Sequence, residues 1–149
     1  MLEMSELVAR AVELAASGRY AEAMTLFERD STFTRVPMAL SYYARCLANT
    51  GGPFERAVAL CLIASEREFY NPEIYCNLGN IFLINNQKGA AIKAFRKGLK
   101  FDGKHEASIN ALVKLGARRK PVFSFLSRNN AVNKFLGMLA GKFRVHIHA

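Results

Sequence analysis

The chain has 149 residues, of which 51% are apolar, and this length predicts one domain or one short array of small units. The formal net charge of +9 is unevenly distributed, because residues 1–106 are nearly neutral whereas residues 107–149 carry eight lysines and arginines and no acid. The three cysteines form no CxxC pair and no apolar run approaches the roughly 20 residues of a membrane span, which argues against a disulfide framework, a zinc site and a transmembrane protein.

The chain begins with an acidic stretch. Glu3, Glu6 and Glu13 fall within the first sixteen residues, where a secretory signal would have a basic start and a continuous apolar run. We therefore expect a cytoplasmic protein.

Short breaks recur along the chain with a constant period. The segments "SGRY", "GGPF" and "NNQK" stand in the same phase, and each is followed by an alanine, 34 residues from the next: Ala23, Ala57 and Ala91. Four residues after each alanine stands a second core candidate: Phe27, Cys61 and Phe95. Each break separates two amphipathic helical patterns, so the period predicts an array of helix pairs.

The third unit shows the pattern most clearly. Before its break, four residues share one face of a helix: Tyr75, Leu78, Gly79 and Phe82. A glycine inside a helix costs roughly 0.5–1 kcal/mol relative to alanine, so packing must compensate for it. Gly79 aligns with Ala11 and Ala44, and we predict that another backbone approaches closely at these small residues.

This third unit resembles a tetratricopeptide repeat, through Tyr75-x2-Leu78-Gly79-x2-Phe82, then Ala91-x3-Phe95, then "FDG". The first two units follow in phase, with Arg10 at a position where leucine is usual and one extra residue near "TGGP". The resemblance implies an all-α protein, a right-handed α-α superhelix of three helix pairs at about residues 4–36, 37–71 and 72–105. Leu7, Tyr43, Leu78, Phe82 and Phe95 are then packing residues.

Two further segments follow the third unit. Residues 105–116 predict a capping helix that docks Ile109, Leu112 and Val113 on the third pair and completes a repeat domain at 1–117. Residues 118–149 form a basic C-terminal extension with a predicted amphipathic helix near 130–141. Its apolar stripe either packs back on the array or leaves the basic residues free to bind an anionic partner.

No catalytic motif is present in the sequence. There is no P-loop, GxSxG or HExxH, and His146 and His148 lack a third metal ligand nearby. We therefore predict that the protein is not an enzyme and needs neither a cofactor nor a metal.

The resemblance also implies a function, since tetratricopeptide arrays usually hold a peptide or helix of a partner protein in a concave groove. In the family, ligand-facing positions lie one, two and five residues after the bulky residue of each first helix. Transferred to this sequence, they predict a groove with six binding residues: Tyr42, Arg45, Asn77, Asn80, Asn110 and Lys114. Val8 and Val12 would form its apolar end, and no acid falls at these positions, so the expected ligand has an apolar end and an acidic end.

The sequence leaves other partners open. The alternative to a protein-binding scaffold is an adaptor that binds nucleic acid or an anionic membrane through the basic C-terminal segment. The sequence also allows a second copy of the array as the partner, through self-association.

Overall fold

The computed structural model describes residues 3–117, which form seven α-helices, one short 3-10 helix and no strand. The α-helices, in chain order, are α1 Glu6–Ala16, α2 Tyr20–Arg29, α3 Pro37–Asn49, α4 Phe54–Arg67, α5 Pro72–Ile84, α6 Lys88–Phe101 and α7 Glu106–Lys114. The 3-10 helix, Ser31–Arg35, lies between α2 and α3. The amphipathic helix predicted near 130–141 and the histidine pair His146 and His148 lie outside the described residues.

The helix ends follow from local chemistry. The Ser5 side chain accepts a hydrogen bond from the Val8 backbone N–H at the start of α1, and Asn71 does the same for Glu73 at the start of α5. Each of the three breaks turns through a residue with positive φ, namely Gly18 (83°), Gly51 (85°) and Asn86 (57°). Because these residue types tolerate the left-handed region, each break can be only a few residues long.

Consecutive helices form the pairs α1–α2, α3–α4 and α5–α6, and the first helices of neighbouring pairs pack side by side, α1 on α3 and α3 on α5. Helix α7 packs on α6. This arrangement confirms the predicted all-α, α-α superhelical repeat fold.

The small residues of the repeat are buried as predicted, but the reason for Gly79 is different. A Cβ atom added to Gly79 would lie 2.5 Å from Cε1 of Phe95, whose side chain is fully buried. The prediction of a close backbone at Gly79 is therefore wrong, because the neighbour is an aromatic ring. The backbone approach occurs instead at Gly98, where an added Cβ would lie 3.2 Å from the Pro72 carbonyl oxygen.

Three predicted core residues lie differently. Leu7 is exposed and its neighbour Val8 is buried instead, whereas Ala11 on the same helix is buried as predicted. In α7, Leu112 packs on the core around Phe95 as predicted, whereas Ile109 and Val113 are exposed.

Candidate binding groove

The first helix of each pair and α7 together line one groove, with a cavity volume of about 480 Å³. No residue of α2, α4 or α6 contributes to its lining. Five of the six predicted residues lie along it: Tyr42, Arg45, Asn80, Asn110 and Lys114. The helix geometry thus brings together side chains that are more than seventy positions apart in the sequence.

The sixth predicted residue, Asn77, does not line the groove. It is fully buried, its Nδ2 donates to the Ser41 hydroxyl oxygen at 2.9 Å, and its Oδ1 accepts from Nη1 of Arg45 at 3.4 Å. Asn77 therefore helps to orient the Arg45 guanidinium through this hydrogen bond and cannot contact a ligand directly.

The apolar part of the groove is also placed differently from the prediction. Val8 is fully buried and Val12 packs on the core, so neither forms an end of the groove. The apolar lining comes instead from α5 and the α7 region, through Leu83, Ala107, Ala111 and Leu115. The spacing rule failed at α1 because Val8, which the rule places in the groove, belongs to the buried side of that helix.

Arg45 is the central cation of the groove. Its Nη2 donates to the Tyr20 hydroxyl at 3.1 Å, and its guanidinium carbon lies 5.6 Å from the centre of the Tyr20 ring. Its Nε is buried without a hydrogen-bond partner, and among the described residues no carboxylate forms an ion pair with it. A guanidinium held in this way is oriented but not neutralised.

A carboxylate, Glu73, also lines the groove, which corrects the prediction that the groove contains no acid. Both of its oxygens are occupied: Oε1 accepts from the Tyr42 hydroxyl and Oε2 lies 2.7 Å from Nε2 of His105. Burial, reinforced by the hydrogen bond to Glu73, raises the pKa of Tyr42, so its hydroxyl remains a neutral donor. Both Glu73 oxygens therefore contact other side chains, and Glu73 forms no ion pair with Arg45.

His105 connects this network to the start of α7. Its Nδ1 accepts from the Ser108 backbone N–H at 3.3 Å, which caps the helix and leaves Nε2–H to donate to Glu73. Sequence reasoning missed the Glu73–His105 pair because the two residues are 32 positions apart and lie outside the transferred ligand positions. The only sequence signal for this pair is that each of the two residues lies at the start of a helix, Glu73 in α5 and His105 before α7.

Lys114 supplies the second cation of the groove. It lies in the last turn of α7, its side chain is exposed, and it takes part in no ion pair within residues 3–117. The groove therefore has an excess of positive charge, with Asn80 and Asn110 as neutral hydrogen-bonding groups on its walls.

The three cysteines are free, buried thiols. Burial raises the pKa of Cys46 and of Cys61 to about 12, and burial is also the main cause that raises the pKa of Cys76, which lines the groove. Within the described residues, no group of three or more histidine, cysteine or acidic side chains is arranged to hold a metal. The same part of the chain contains no helix long and apolar enough to cross a membrane.

Over residues 3–117, these features define a class of protein, a helical repeat array in which the first helix of each pair and α7 line a groove. The family model described as tetratricopeptide repeat matches residues 72–105, which contain α5 and α6. Residues 72–105 are thus similar to a tetratricopeptide repeat, and this similarity supports a general role as a scaffold for protein interactions. Comparison with curated proteins and with solved structures finds no match.

Proposed function

We propose that this protein is a scaffold that binds a segment of a partner protein in the groove and recognises a carboxylate on that segment. The observation that carries the proposal is Arg45, a guanidinium that faces the groove with no carboxylate partner among the described residues. Hydrogen bonds between charged groups are about twice as strong as neutral ones, so an acidic side chain or a terminal carboxylate would bind here preferentially.

The rest of the lining supports a peptide as the ligand. Asn110 can donate to and accept from a peptide backbone, and Oδ1 of Asn80 can accept from one, since its Nδ2 already donates to the Cys76 carbonyl oxygen at 2.9 Å. Lys114 adds a second cation within the same groove. Beside them, Leu83, Ala111 and Leu115 offer an apolar surface for an aliphatic or aromatic side chain. A segment with an acidic residue next to an apolar one matches this lining.

The test is selection from a peptide library with the wild type and with the Arg45→Glu/Lys114→Glu variant. Wild type should enrich acidic peptides with an apolar neighbour, and the variant should bind the selected peptides roughly ten- to a hundred-fold more weakly, since a lost charged hydrogen bond is worth about 1.5–3 kcal/mol. The matched control is Arg29→Glu/Arg56→Glu, which makes the same change of charge at exposed positions of α2 and α4.

Circular dichroism must show that both double variants remain helical, because Arg45 also bonds to Tyr20 and Asn77. The Lys114→Glu single variant, at an exposed position, tests the groove without touching that network. Equal affinity of the wild type and both groove variants for the same peptides would contradict the assignment.

The charge distribution favours a second candidate, an adaptor that binds nucleic acid or an anionic membrane through the basic residues 118–149. Contacts with phosphates make affinity fall steeply with salt, whereas a groove that combines packing with hydrogen bonds responds less. Measuring the affinity for the partner between about 50 and 200 mM salt therefore distinguishes the two candidates, because the affinity should fall more steeply for binding through residues 118–149.

A further inference from the structure

A cluster of aromatic side chains lies exposed at the junction of the second and third helix pairs. Phe69 and Tyr70, between α4 and α5, are 60% and 59% exposed, and Phe101 at the end of α6 is 42% exposed. Their rings are in contact, with 5.5 Å between the centres of Phe69 and Tyr70 and 6.1 Å between those of Phe69 and Phe101. We call these three residues the aromatic patch; isolated exposed apolar residues are ordinary, but three contacting rings are not.

Lysines border the aromatic patch. Lys93, Lys97 and Lys100 recur on α6 at spacings of four and three, which places them along one side of the helix, and Lys104 follows the helix end. All four are exposed, and none forms an ion pair within the described residues. Lys97 is connected to the patch through Tyr75, because its Nζ lies 5.2 Å from the centre of the Tyr75 ring, on which Phe101 stacks.

Within the described residues, no acid forms an ion pair with these lysines. Helix α6 contains no acidic residue. Glu68 accepts from Nδ2 of Asn71 at 3.1 Å and from the Tyr70 hydroxyl at 3.5 Å, and Asp102 accepts from the backbone N–H of Lys104. The surface is therefore both aromatic and cationic, and it lies on elements that take no part in lining the groove.

The chemistry of this surface distinguishes among three kinds of partner. Lysine is depleted in the centres of protein–protein interfaces, where aromatic residues and arginine dominate. Single-stranded nucleic acid needs open ring faces for stacking, but Phe69 meets Tyr70 and Phe101 edge to face, and Phe101 already stacks on Tyr75. The interface of a bilayer accepts bulky rings in any orientation and attracts flanking lysines through anionic headgroups.

We propose that the aromatic patch and Lys93, Lys97, Lys100 and Lys104 form a docking surface for anionic phospholipid membranes. The rings enter the interfacial layer while the lysines contact the headgroups. The groove, lined by other helices, can then hold a partner segment at the membrane surface, but docking does not depend on the groove.

Cosedimentation of the full chain with vesicles tests this surface. Wild type should bind vesicles that contain phosphatidylserine, bind neutral phosphatidylcholine vesicles much more weakly, and lose affinity as salt rises. Lys97→Gln/Lys100→Gln/Lys104→Gln should weaken binding to the anionic vesicles by roughly five-fold per lysine. Phe69→Ser/Tyr70→Ser should weaken it by about ten-fold or more.

Matched controls exclude general effects of charge and apolarity. Arg29→Gln/Arg35→Gln/Arg56→Gln removes the same charge elsewhere, and Leu62→Ser/Ile63→Ser removes two exposed apolar side chains of α4. Residues 118–149 are unchanged in every variant, so any contribution they make to binding is constant.

The proposal is upheld if only the patch variants lose binding to anionic vesicles. It is overturned if wild type does not bind them, or if patch and control variants lose binding equally. It is also overturned if the patch variants lose affinity for a single-stranded oligonucleotide while their binding to vesicles is unchanged, since nucleic acid would then be the ligand of this surface.

Discussion

Helix pairs α3–α4 and α5–α6 each join a 13-residue helix to a 14-residue helix, yet they fill the space between their helices differently. Ala44 and Cys61 in the second pair occupy the repeat positions of Gly79 and Phe95 in the third, and all four residues are buried. In the second pair, α4 contributes the small thiol of Cys61, and the opposing position on α3 is an alanine with a Cβ atom. In the third pair, α6 contributes the ring of Phe95, which occupies the space where a Cβ atom of residue 79 on α5 would lie.

The first pair shows that a large ring on the second helix does not by itself require a glycine at the opposing position of the first helix. Phe27 lies opposite Ala11 in the repeat, but its ring packs edge to face on Phe33 and Tyr43, with ring centres 5.1 and 5.7 Å apart. Phe33 belongs to the 3-10 helix between α2 and α3, an element that the repeat pattern does not contain. The residue at the small position thus depends on where the opposing ring is packed.

The largest expected effect comes from removing the ring. Phe95→Ala leaves a cavity beside Gly79 and should lower the free energy of unfolding by about 3–5 kcal/mol. Cys61→Ala, at the equivalent position, removes one buried atom and should cost roughly 1 kcal/mol. Urea denaturation followed by circular dichroism measures both, and similar losses at the two positions would show that the pairs do not differ in packing.

The next largest effect is expected from changing Gly79, the residue that contacts the Phe95 ring. Gly79→Ala places a Cβ against the buried Phe95 ring, and overpacking of this kind should cost about 1–3 kcal/mol, with Gly79→Leu costing more. If the ring is the cause, Gly79→Ala/Phe95→Leu should cost less than the sum of the single changes, by about 0.5–3 kcal/mol. Ala44→Gly is the reverse change in the second pair, and about 1 kcal/mol is expected from helix propensity alone. Strictly additive costs would mean that Gly79 and Phe95 do not interact.

The sequence predicts the helix pairs well because the 34-residue period and the three breaks are local signals. It does not reveal which atom meets Gly79, since helical spacing shows that a position is buried without identifying its neighbour. For the same reason it misplaced Leu7 relative to Val8, although Ala11 on the same helix is buried as predicted.

The groove shows the same limit. Arg45, Asn80 and Lys114 are brought together by the regular stacking of helices, which a repeat rule captures. Asn77 obeys the same rule but is buried by its bond to Ser41, and Glu73 enters the groove through a pairing with His105 that no local pattern contains. Such contacts depend on the packed structure and not on the spacing within one helix.

The smallest effect concerns the backbone approach within the third pair. Gly98 occupies the repeat position of Ala64 in the second pair, and a Cβ there would lie 3.2 Å from the Pro72 carbonyl oxygen and 3.3 Å from Cβ of Tyr75. Gly89, in the same helix α6, has no atom within 4 Å of an added Cβ. The two glycines therefore separate helix propensity from the close approach of α5.

Gly89→Ala should stabilise the protein by roughly 0.5–1 kcal/mol, because alanine restricts the unfolded chain and favours the helix. Gly98→Ala gains the same propensity but tightens the contact with Pro72, so its free energy of unfolding should stay within about 0.5 kcal/mol of wild type or fall below it. Urea denaturation of the two variants side by side measures the difference. If both variants are stabilised equally, α5 must move by a few tenths of an ångström without a cost in free energy. The third pair would then be packed no more tightly at this position than the second pair, which has an alanine there.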